Sequence, residues 1–308
     1  MKIGIDIGGT KCAVVLGDEN GVSEKIRFDT TDRDETIQNI IKAVESIGKG
    51  DAIGISCGGP LDSKRGIIMS PPNLPDWDNV HITEMLTERF GVPAYLCNDA
   101  NACALAEWKY GAGKGTENMV FLTFGTGLGA GLILGGRLYE GSSGMAGEVG
   151  HVRLSQHGPV GYGKAGSFEG FCSGSGIAQI GRTVALERLQ MGAPAAFCPS
   201  ASELDGITAK LIAEYANNGD EAAQEVYAIS GSMLGHGLAI LVDILDPEAI
   251  VIGSVFSRAE GLLRTHMERT LKQEALSASL GNCRIVPAML GESIGDLAAL
   301  SVAMEGGK

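Results

Sequence analysis

Residues 3–16 read IGIDIGGTKCAVVL, and this stretch decides the fold. An alternating apolar run stops at Gly8-Gly9-Thr10-Lys11 and resumes at Ala13, a pattern that predicts a strand, a glycine turn and a second strand. The pattern recurs at 119–134, where Gly125-Thr126-Gly127-Leu128-Gly129 separates two further apolar runs. Because internal repetition is typical of a duplicated architecture, the sequence predicts two related α/β lobes.

The length of 308 residues also indicates two lobes, because it exceeds what one hydrophobic core usually supports. The glycine-rich, polar residues 111–118 have the composition of a connection. We therefore expect an N-terminal lobe of residues 1–117 with 293–308, a C-terminal lobe of residues 118–292, and a functional site in a cleft between them.

Charge, cysteine content and the length of apolar runs indicate the compartment of the protein and the partners that it does not bind. The formal net charge of -13 opposes nucleic acid binding, which relies on cationic patches. The seven cysteines are an odd number, spread through apolar runs, as expected of structural thiols in a reducing compartment. Neither a signal peptide nor an apolar run of membrane-spanning length is recognisable, so we expect a cytoplasmic protein without membrane contact.

Each glycine turn is a candidate phosphate-binding loop. Glycine amides can approach a phosphate closely, while Asp6, Thr10 and Lys11 add a carboxylate for magnesium, a hydroxyl and an ammonium. Both turns lead into strands, which excludes a Walker A loop at the first and disfavours a dinucleotide-binding fingerprint at the second. An ordinary tight hairpin with glycine at positive φ is the alternative interpretation of the first turn.

Two groups of polar residues are candidates for substrate chemistry. Asn98-Asp99 ends an apolar run and precedes a predicted helix at Ala100–Tyr110, a position from which Asp99 can accept a hydroxyl proton. The same pair also suits a helix N-cap. Glu148, His151 and Glu169 lie in a Gly/Ser-rich stretch and can hydrogen-bond several hydroxyls, although an isolated histidine is more often structural.

Four motifs together resemble the ROK (repressor, open reading frame, kinase) family of sugar kinases. They are DIGGTK at 6–11, NDANA at 98–102, GTGLG at 125–129 and EVGH at 148–151. The resemblance implies the α/β fold of actin, Hsp70 and hexokinase, commonly as a homodimer. It also implies transfer of the ATP γ-phosphate to the 6-hydroxyl of a hexose or N-acetylhexosamine, with glucose and N-acetylmannosamine as the leading candidates.

The resemblance implies a role for each matching residue. Asp99 corresponds to the catalytic base. The sugar-binding positions, besides Asp99 itself, are Gly59, Asn73, Asn98, Glu148, His151 and Glu169. The nucleotide-binding positions are Asp6, Gly8, Gly9, Thr10, Lys11, Gly125, Thr126, Gly127 and Gly253, with Mg2+ accompanying ATP through Asp6.

The chain departs from the family pattern in two places. Relatives usually carry a zinc-binding Cys-x-Cys-Gly-x-x-Gly-Cys-x-Glu segment, whereas residues 161–169 read GYGKAGSFE. His151 alone cannot complete a tetrahedral site, so we predict no structural zinc and expect the glycine turns and Lys164 to hold the loop. This loss resembles some bacterial N-acetylmannosamine kinases. At Gly253-Ser254-Val255 relatives often have consecutive glycines, so nucleotide preference could differ.

Two other classes stay open as alternatives. A sugar-binding regulator of the same family would carry an N-terminal helix-turn-helix domain, which we do not expect here because the first glycine turn follows a strand beginning at Ile3. A nucleotide-driven protein of the actin or chaperone type would share the two loops. The polar residues around Asp99, Glu148 and His151 favour a small polyhydroxylated substrate instead.

Overall fold

The computed structural model describes residues 1–306, which form two compact units. The first contains Met1–Glu117, Gly131–Ala146 and the segment that begins at Met289. The second contains Asn118–Ala130 and Gly147–Ala288. Residues 131–146, which we expected in the C-terminal lobe, thus group with the first unit.

Strands and helices alternate along residues 1–306. The strands are β1 (Lys2–Ile7), β2 (Lys11–Asp18), β3 (Gly21–Asp29), β4 (Ile53–Cys57), β5 (Leu61–Asp62), β6 (Ile67–Ile68), β7 (Ala94–Asn98), β8 (Met119–Phe124), β9 (Leu128–Ile133), β10 (Val160–Gly161), β11 (Lys164–Ala165), β12 (Ala249–Ile252) and β13 (Arg284–Pro287). The helices are α1 (Arg33–Ile47), α2 (Ile82–Phe90), α3 (Asp99–Tyr110), α4 (Phe168–Phe171), α5 (Gly174–Gln190), α6 (Ala209–Asn217), α7 (Glu221–Leu245), α8 (Val255–Glu274), α9 (Ser277–Leu280) and α10 (Ile294–Glu305).

The first unit is built on a five-stranded sheet in the order β3-β2-β1-β4-β7. β1 to β3 are antiparallel, whereas β4 and β7 run parallel to β1. The register aligns Ile7 with Cys57 and Cys57 with Asn98, the last residues of the three parallel strands. The carboxyl ends of these strands therefore meet at one edge, where α/β proteins place ligands.

The two faces of this sheet are covered in different ways. Isoleucines of β1 and β4 form one buried cluster with Ile37, Ile40 and Val44 of α1. On the other face Gly4 and Gly54 lie side by side in the register. A Cβ added to them would lie 2.6 Å from the Leu300 nitrogen and 2.2 Å from the Ala303 nitrogen, so only glycines let α10 lie this close to the sheet.

The second unit contains a sheet in the order β13-β12-β8-β9. β12 runs parallel to both β8 and β13. The order β9-β8-β12-β13 repeats the order β2-β1-β4-β7 of the first unit, with a glycine hairpin followed by two parallel strands. The repeat that we predicted from the two glycine turns is therefore present in the strand order of both sheets.

Helix α7 bears on the expectation that the chain has no membrane-spanning segment. Helix α7 is long and apolar enough to cross a membrane by length and composition, with a mean hydropathy of 1.6 in its most apolar window. Half of that window is buried, and the helix packs against α5, α6 and α8. This is how the core helix of a globular unit behaves, and such a helix passes the same length test.

The sequence pattern of Ser202–Asn217 predicts one continuous helix, but the structure breaks it. Ala201–Gly206 form a 3₁₀ turn, and α6 starts only at Ala209. Thr208 adopts an extended backbone, and its Oγ1 accepts a hydrogen bond from the Leu211 nitrogen at 3.1 Å. The threonine therefore caps a new helix instead of continuing the old one.

Candidate active site

The first glycine turn is held by its own backbone and by a neighbouring loop. The Gly8 nitrogen donates to the Lys11 carbonyl at 3.2 Å, and Thr30 Oγ1 donates to the Gly8 carbonyl at 2.7 Å. Neither Gly8 nor Gly9 has a positive φ, so the turn is not the positive-φ hairpin of the alternative interpretation. A Cβ on Gly9 would lie 2.6 Å from the Asn73 carbonyl oxygen, so glycine is needed there for close approach.

Asn73 lies on a loop whose backbone is unusual. Ser70, Asp76 and Asn79 have φ values of 53°, 66° and 53°, in the left-handed region that non-glycine residues rarely adopt. Trp77 is only 1% exposed and anchors the loop in the core of the first unit. Strained backbone of this kind persists where the surroundings over-determine it, often at ligand sites.

Asn98 and Asp99 stand at the end of β7 and the start of α3. The oxygens Asn98 Oδ1 and Asp99 Oδ1 accept from the same Ala100 nitrogen, at 3.0 and 2.8 Å. The N-cap interpretation is thus confirmed for Asn98. A Cβ added to Gly59 would lie 3.4 Å from Asn98 Nδ2, so the candidate sugar-binding residues Gly59 and Asn98 are adjacent.

The Asp99 carboxyl combines solvent access with desolvation. Asp99 is exposed to solvent, yet the protein atoms packed around its carboxyl raise its pKa through desolvation, with the Ala100 hydrogen bond opposing the rise. A raised pKa makes the carboxylate a stronger base.

Asp6 is a buried carboxyl with two other carboxylates near it. Burial, then the carboxylates of Asp296 and Asp99, raise its pKa from 3.8 to about 6. Lys25 Nζ pairs with Asp296 Oδ2 at 2.5 Å and offsets only part of this charge. A cation beside Asp6 would relieve the remaining repulsion, so the residues fit a Mg2+ ion.

Within residues 1–306 no three His, Cys, Asp or Glu side chains are grouped so that they could hold a metal ion by themselves. An Mg2+ ion that binds together with substrate phosphates is commonly held by only one or two carboxylates. Asp6 is the residue that would hold it.

The second glycine turn is backed by the first turn of α5. The Gly125 nitrogen donates to the Gly127 carbonyl at 3.0 Å, while the Gly125 carbonyl accepts from the Gly174 nitrogen at 2.8 Å. Ser175 Oγ donates to the Thr126 carbonyl at 2.9 Å. Sequence reasoning missed Gly174 and Ser175, although the Ser-Gly-Ser-Gly run at 173–176 is a recognisable N-cap.

Glu169 links this turn to the segment that carries His151. Its Oε2 accepts from the Leu128 nitrogen at 3.0 Å, and a Cβ on Gly127 would lie 2.7 Å from the same oxygen. A Cβ on Gly150, the neighbour of His151, would lie 3.2 Å from Glu169 Cβ. The structure therefore brings two predicted sugar-binding positions and one phosphate turn together in the second unit.

The segment that replaces the family's cysteine motif is a small hairpin of β10 and β11. Lys164 Nζ donates to the His151 carbonyl at 2.7 Å, the support that we expected from this residue. A Cβ on Gly161 would lie 2.6 Å from the Gly170 nitrogen and 2.8 Å from Glu169 Cβ. The hairpin thus packs directly against the residues beside His151 and Glu169. Glu148 and His151 themselves are exposed.

Gly253 follows β12 and leads into α8. Its nitrogen donates to the Leu122 carbonyl at 2.9 Å, which continues the pairing of β12 with β8. The next residue, Ser254, has φ 56° and ψ -107°. Its Oγ lies 3.7 Å from where a Cβ on Gly125 would be, so the Gly253 turn adjoins the second glycine turn.

Glu107 is a buried residue that sequence reasoning overlooked. Its Oε1 accepts from the Met289 and Leu290 nitrogens, each at 2.9 Å, and its Oε2 accepts from the Ala112 nitrogen at 2.8 Å. One carboxylate therefore ties the chain after α3 to the chain before α10. Its local sequence is that of an ordinary helix, so only the distant partners reveal this role.

A family model for the ROK family matches residues 2–305. The chain belongs to the ROK family. A glucokinase from Streptomyces coelicolor is 33% identical, covering 99% of this chain and 98% of its own. An N-acetylmannosamine kinase from Escherichia coli is 32% identical, covering 88% of each.

Among solved structures, a ROK family glucokinase from Streptomyces griseus in complex with glucose and AMPPNP superimposes with a TM-score of 0.76. It is 30% identical to this chain, and the match covers 99% of both chains. The ROK resemblance that we drew from four short motifs is thereby confirmed. So is the fold class, which is α/β of the actin, Hsp70 and hexokinase type.

Proposed function

We propose that this protein is an ATP-dependent sugar kinase that phosphorylates a hexose or N-acetylhexosamine at its 6-hydroxyl. The observation that carries the proposal is the Asp99 carboxylate, which stands at the carboxyl end of β7, is reached by solvent and has its pKa raised by desolvation. A base so placed can orient a sugar hydroxyl and accept its proton during phosphoryl transfer.

The remaining candidate residues divide by chemistry. Within the first unit, Asn98 and the adjacent Gly59 backbone, next to Asp99, and Asn73 beside the first glycine turn offer amide and carbonyl groups to sugar hydroxyls. Within the second unit, Glu148, His151 and Glu169 offer carboxylate and imidazole groups that can also bind hydroxyls. Their number suits a polyhydroxylated substrate, since each hydroxyl both donates and accepts.

The glycine turns and Asp6 serve the nucleotide in this proposal. Amides of Gly8, Gly9 and Thr10, with the Lys11 ammonium, would hold phosphate oxygens at the first turn, and the amides of residues 125–127 would do so at the second. Gly253 would lie on the nucleotide side of the second unit. Mg2+, when bound with ATP at Asp6, supplies positive charge that offsets the charge on the phosphate oxygens.

Glucose and N-acetylmannosamine are the sugars to test first, because relatives of comparable identity are named for each. We also propose, from the family resemblance, a cytoplasmic homodimer, which size-exclusion chromatography with light scattering would test. The net charge of -13 supports the absence of a nucleic acid partner.

A coupled ADP-release assay with ATP, Mg2+ and a panel of sugars tests the proposal. The panel is glucose, N-acetylmannosamine, N-acetylglucosamine, fructose and allose. We expect ADP release that depends on one or two of these sugars, and a 6-phosphate product by NMR. ATP hydrolysis that ignores every sugar would favour an ATPase of the actin or chaperone type. Sugar binding without turnover, together with a gel shift of DNA, would favour a regulator.

A further inference from the structure

Tyr162 stands at the tip of the hairpin that replaces the family's cysteine segment. It is 90% exposed, more than any other large apolar side chain in the described part of the chain. A side chain so exposed gains almost no packing energy from the folded unit. Its presence therefore calls for an explanation other than stability.

The backbone at Tyr162 also disfavours this residue type. The register pairs Gly161 with Lys164, so Tyr162 and Gly163 form a two-residue connection. Their φ values are 44° and 73°, the type I′ pattern for which Asn-Gly and Gly-Gly are preferred. A bulky residue at positive φ strains the backbone, and such strain concentrates at ligand sites.

The hairpin places this tyrosine beside the candidate sugar-binding residues of the second unit. Its ring meets the His151 ring edge to face, with centroids 6.3 Å apart and an interplanar angle of 78°. Lys164, two residues on, donates to the His151 carbonyl at 2.7 Å. Gly161, one residue before, packs against Glu169. The chain on both sides of the tyrosine is thus attached to the residues that carry His151 and Glu169.

We propose that Tyr162 is a specificity-determining residue that lays its ring against the C–H face of the sugar held by His151. A pyranose presents apolar C–H groups between its hydroxyls, and a rigid aromatic ring can cover them while the polar residues bind the hydroxyls. This inference rests on the proposed function of the site as a sugar site. It assigns the contact to the ring and not to the phenol hydroxyl.

The variants Tyr162→Asn and Tyr162→Phe separate a sugar contact from a structural role. Asparagine suits the type I′ position, so the variant removes the ring without adding strain. We expect it to raise the sugar KM, and the sugar Kd by calorimetry without ATP, about three- to tenfold. We expect its kcat and ATP KM to stay within about twofold and its Tm to stay equal or rise. Tyr162→Phe should match the wild type throughout.

Met191→Asn is the matched control, because it removes another exposed apolar side chain of the second unit. It should leave the sugar KM and Kd unchanged. Each of three results would overturn the proposal: an unchanged sugar Kd in Tyr162→Asn, equal losses in Tyr162→Phe and Tyr162→Asn, or a fall in the Tm of Tyr162→Asn that accounts for its loss.

The binding measurement keeps this proposal separate from the kinase proposal. If the wild type binds a sugar without phosphorylating it, kinase activity fails as an explanation and the sugar Kd of Tyr162→Asn still decides the role of Tyr162. If the wild type binds no sugar of the panel, both proposals are overturned.

Discussion

The two glycine hairpins share a strand-turn-strand backbone but differ in what lies behind the turn. Behind Gly8–Lys11 stands Asp6, whose charge is opposed by burial and by two other carboxylates. Behind Gly125–Gly127 stand the first turn of α5 and Glu169, whose carboxylate already accepts a backbone hydrogen bond. The two hairpins thus differ in the charge behind them, and a bound cation would relieve the repulsion between the carboxylates behind the first.

The largest effect should come from Asp99→Asn. Losing the proposed base should lower kcat about 10²–10⁴-fold, whereas Tm should barely change because the asparagine oxygen can still accept from the Ala100 nitrogen. Steady-state kinetics and a thermal melt measure both. Asp51→Asn, which changes an exposed aspartate at the opposite end of β4, should keep full activity. If Asp99→Asn kept more than a tenth of wild-type activity, Asp99 of the first unit would not be the catalytic base.

Asp6→Asn should separate activity from stability. With a folded pKa near 6 against 3.8 in the unfolded chain, the ionised group destabilises the fold increasingly as pH rises from about 4 to above 6. The variant should therefore be more stable than the wild type by about 1–3 kcal/mol at pH 8, and equal to it near pH 4. Denaturant melts at the two pH values measure this difference.

The same variant should lose most activity, because Mg2+ needs the carboxylate. At Mg2+ concentrations too low to saturate the site, wild-type activity should fall as pH drops through about 6, the pKa of Asp6 without the ion. If Asp6→Asn were less stable than the wild type at pH 8, the ionised Asp6 would not be destabilised by burial and by the neighbouring carboxylates. The proposed difference in charge between the two hairpins would then be contradicted.

Lys164→Met should affect sugar and nucleotide differently. The hydrogen bond from Lys164 Nζ to the His151 carbonyl contributes about 0.5–1.5 kcal/mol, so its loss should raise the sugar KM about two- to tenfold. The ATP KM should not change. Lys272→Met, on the exposed surface of α8, is the control. A parallel rise in both KM values would show that the His151 segment is not specific to the sugar.

Ser254→Gly should stabilise the protein slightly. Glycine relieves the backbone strain at φ 56°, whereas its greater freedom in the unfolded chain offsets part of that benefit. The free energy of unfolding, measured by chemical denaturation, should therefore rise by about 0.5–1 kcal/mol. Ser257→Gly, inside the following helix, should destabilise by about as much. If both variants were destabilised, the φ at Ser254 would carry no strain.

The smallest effect should come from metal removal, because we expect no structural zinc in the protein. Inductively coupled plasma mass spectrometry should find well under one zinc per chain, and dialysis against EDTA should leave Tm unchanged, because His151 has lost the thiolate partners of the family motif. About one zinc per chain after purification would contradict this prediction and would require a site outside the replaced segment.

Several elements follow from local patterns alone. The sequence pattern predicts helices at Ile82–Phe90 and Glu221–Leu245 and a strand at Ala249–Ile252, and these are the bounds of α2, α7 and β12. They can be predicted because the apolar periodicity ends at recognisable breaks such as Gly91 and Asp246-Pro247. Strand β3 and helix α10 were not recognised. β3 is a mostly exposed edge strand with charged residues, and α10 is apolar on nearly all sides. Neither segment has the one-sided apolar periodicity by which an amphipathic strand or helix is predicted from sequence.

The sequence by itself determined the duplicated hairpins, the order of the motifs and the ROK family, because these depend on residue identity and spacing along the chain. Only the tertiary structure decided which residues meet. The Asp6–Asp296 repulsion, the Glu169 bond to Leu128 and the Glu107 bonds to Met289 and Leu290 join residues 41 to 290 positions apart. Burial and proximity set those interactions, and neither can be read from a local stretch of sequence.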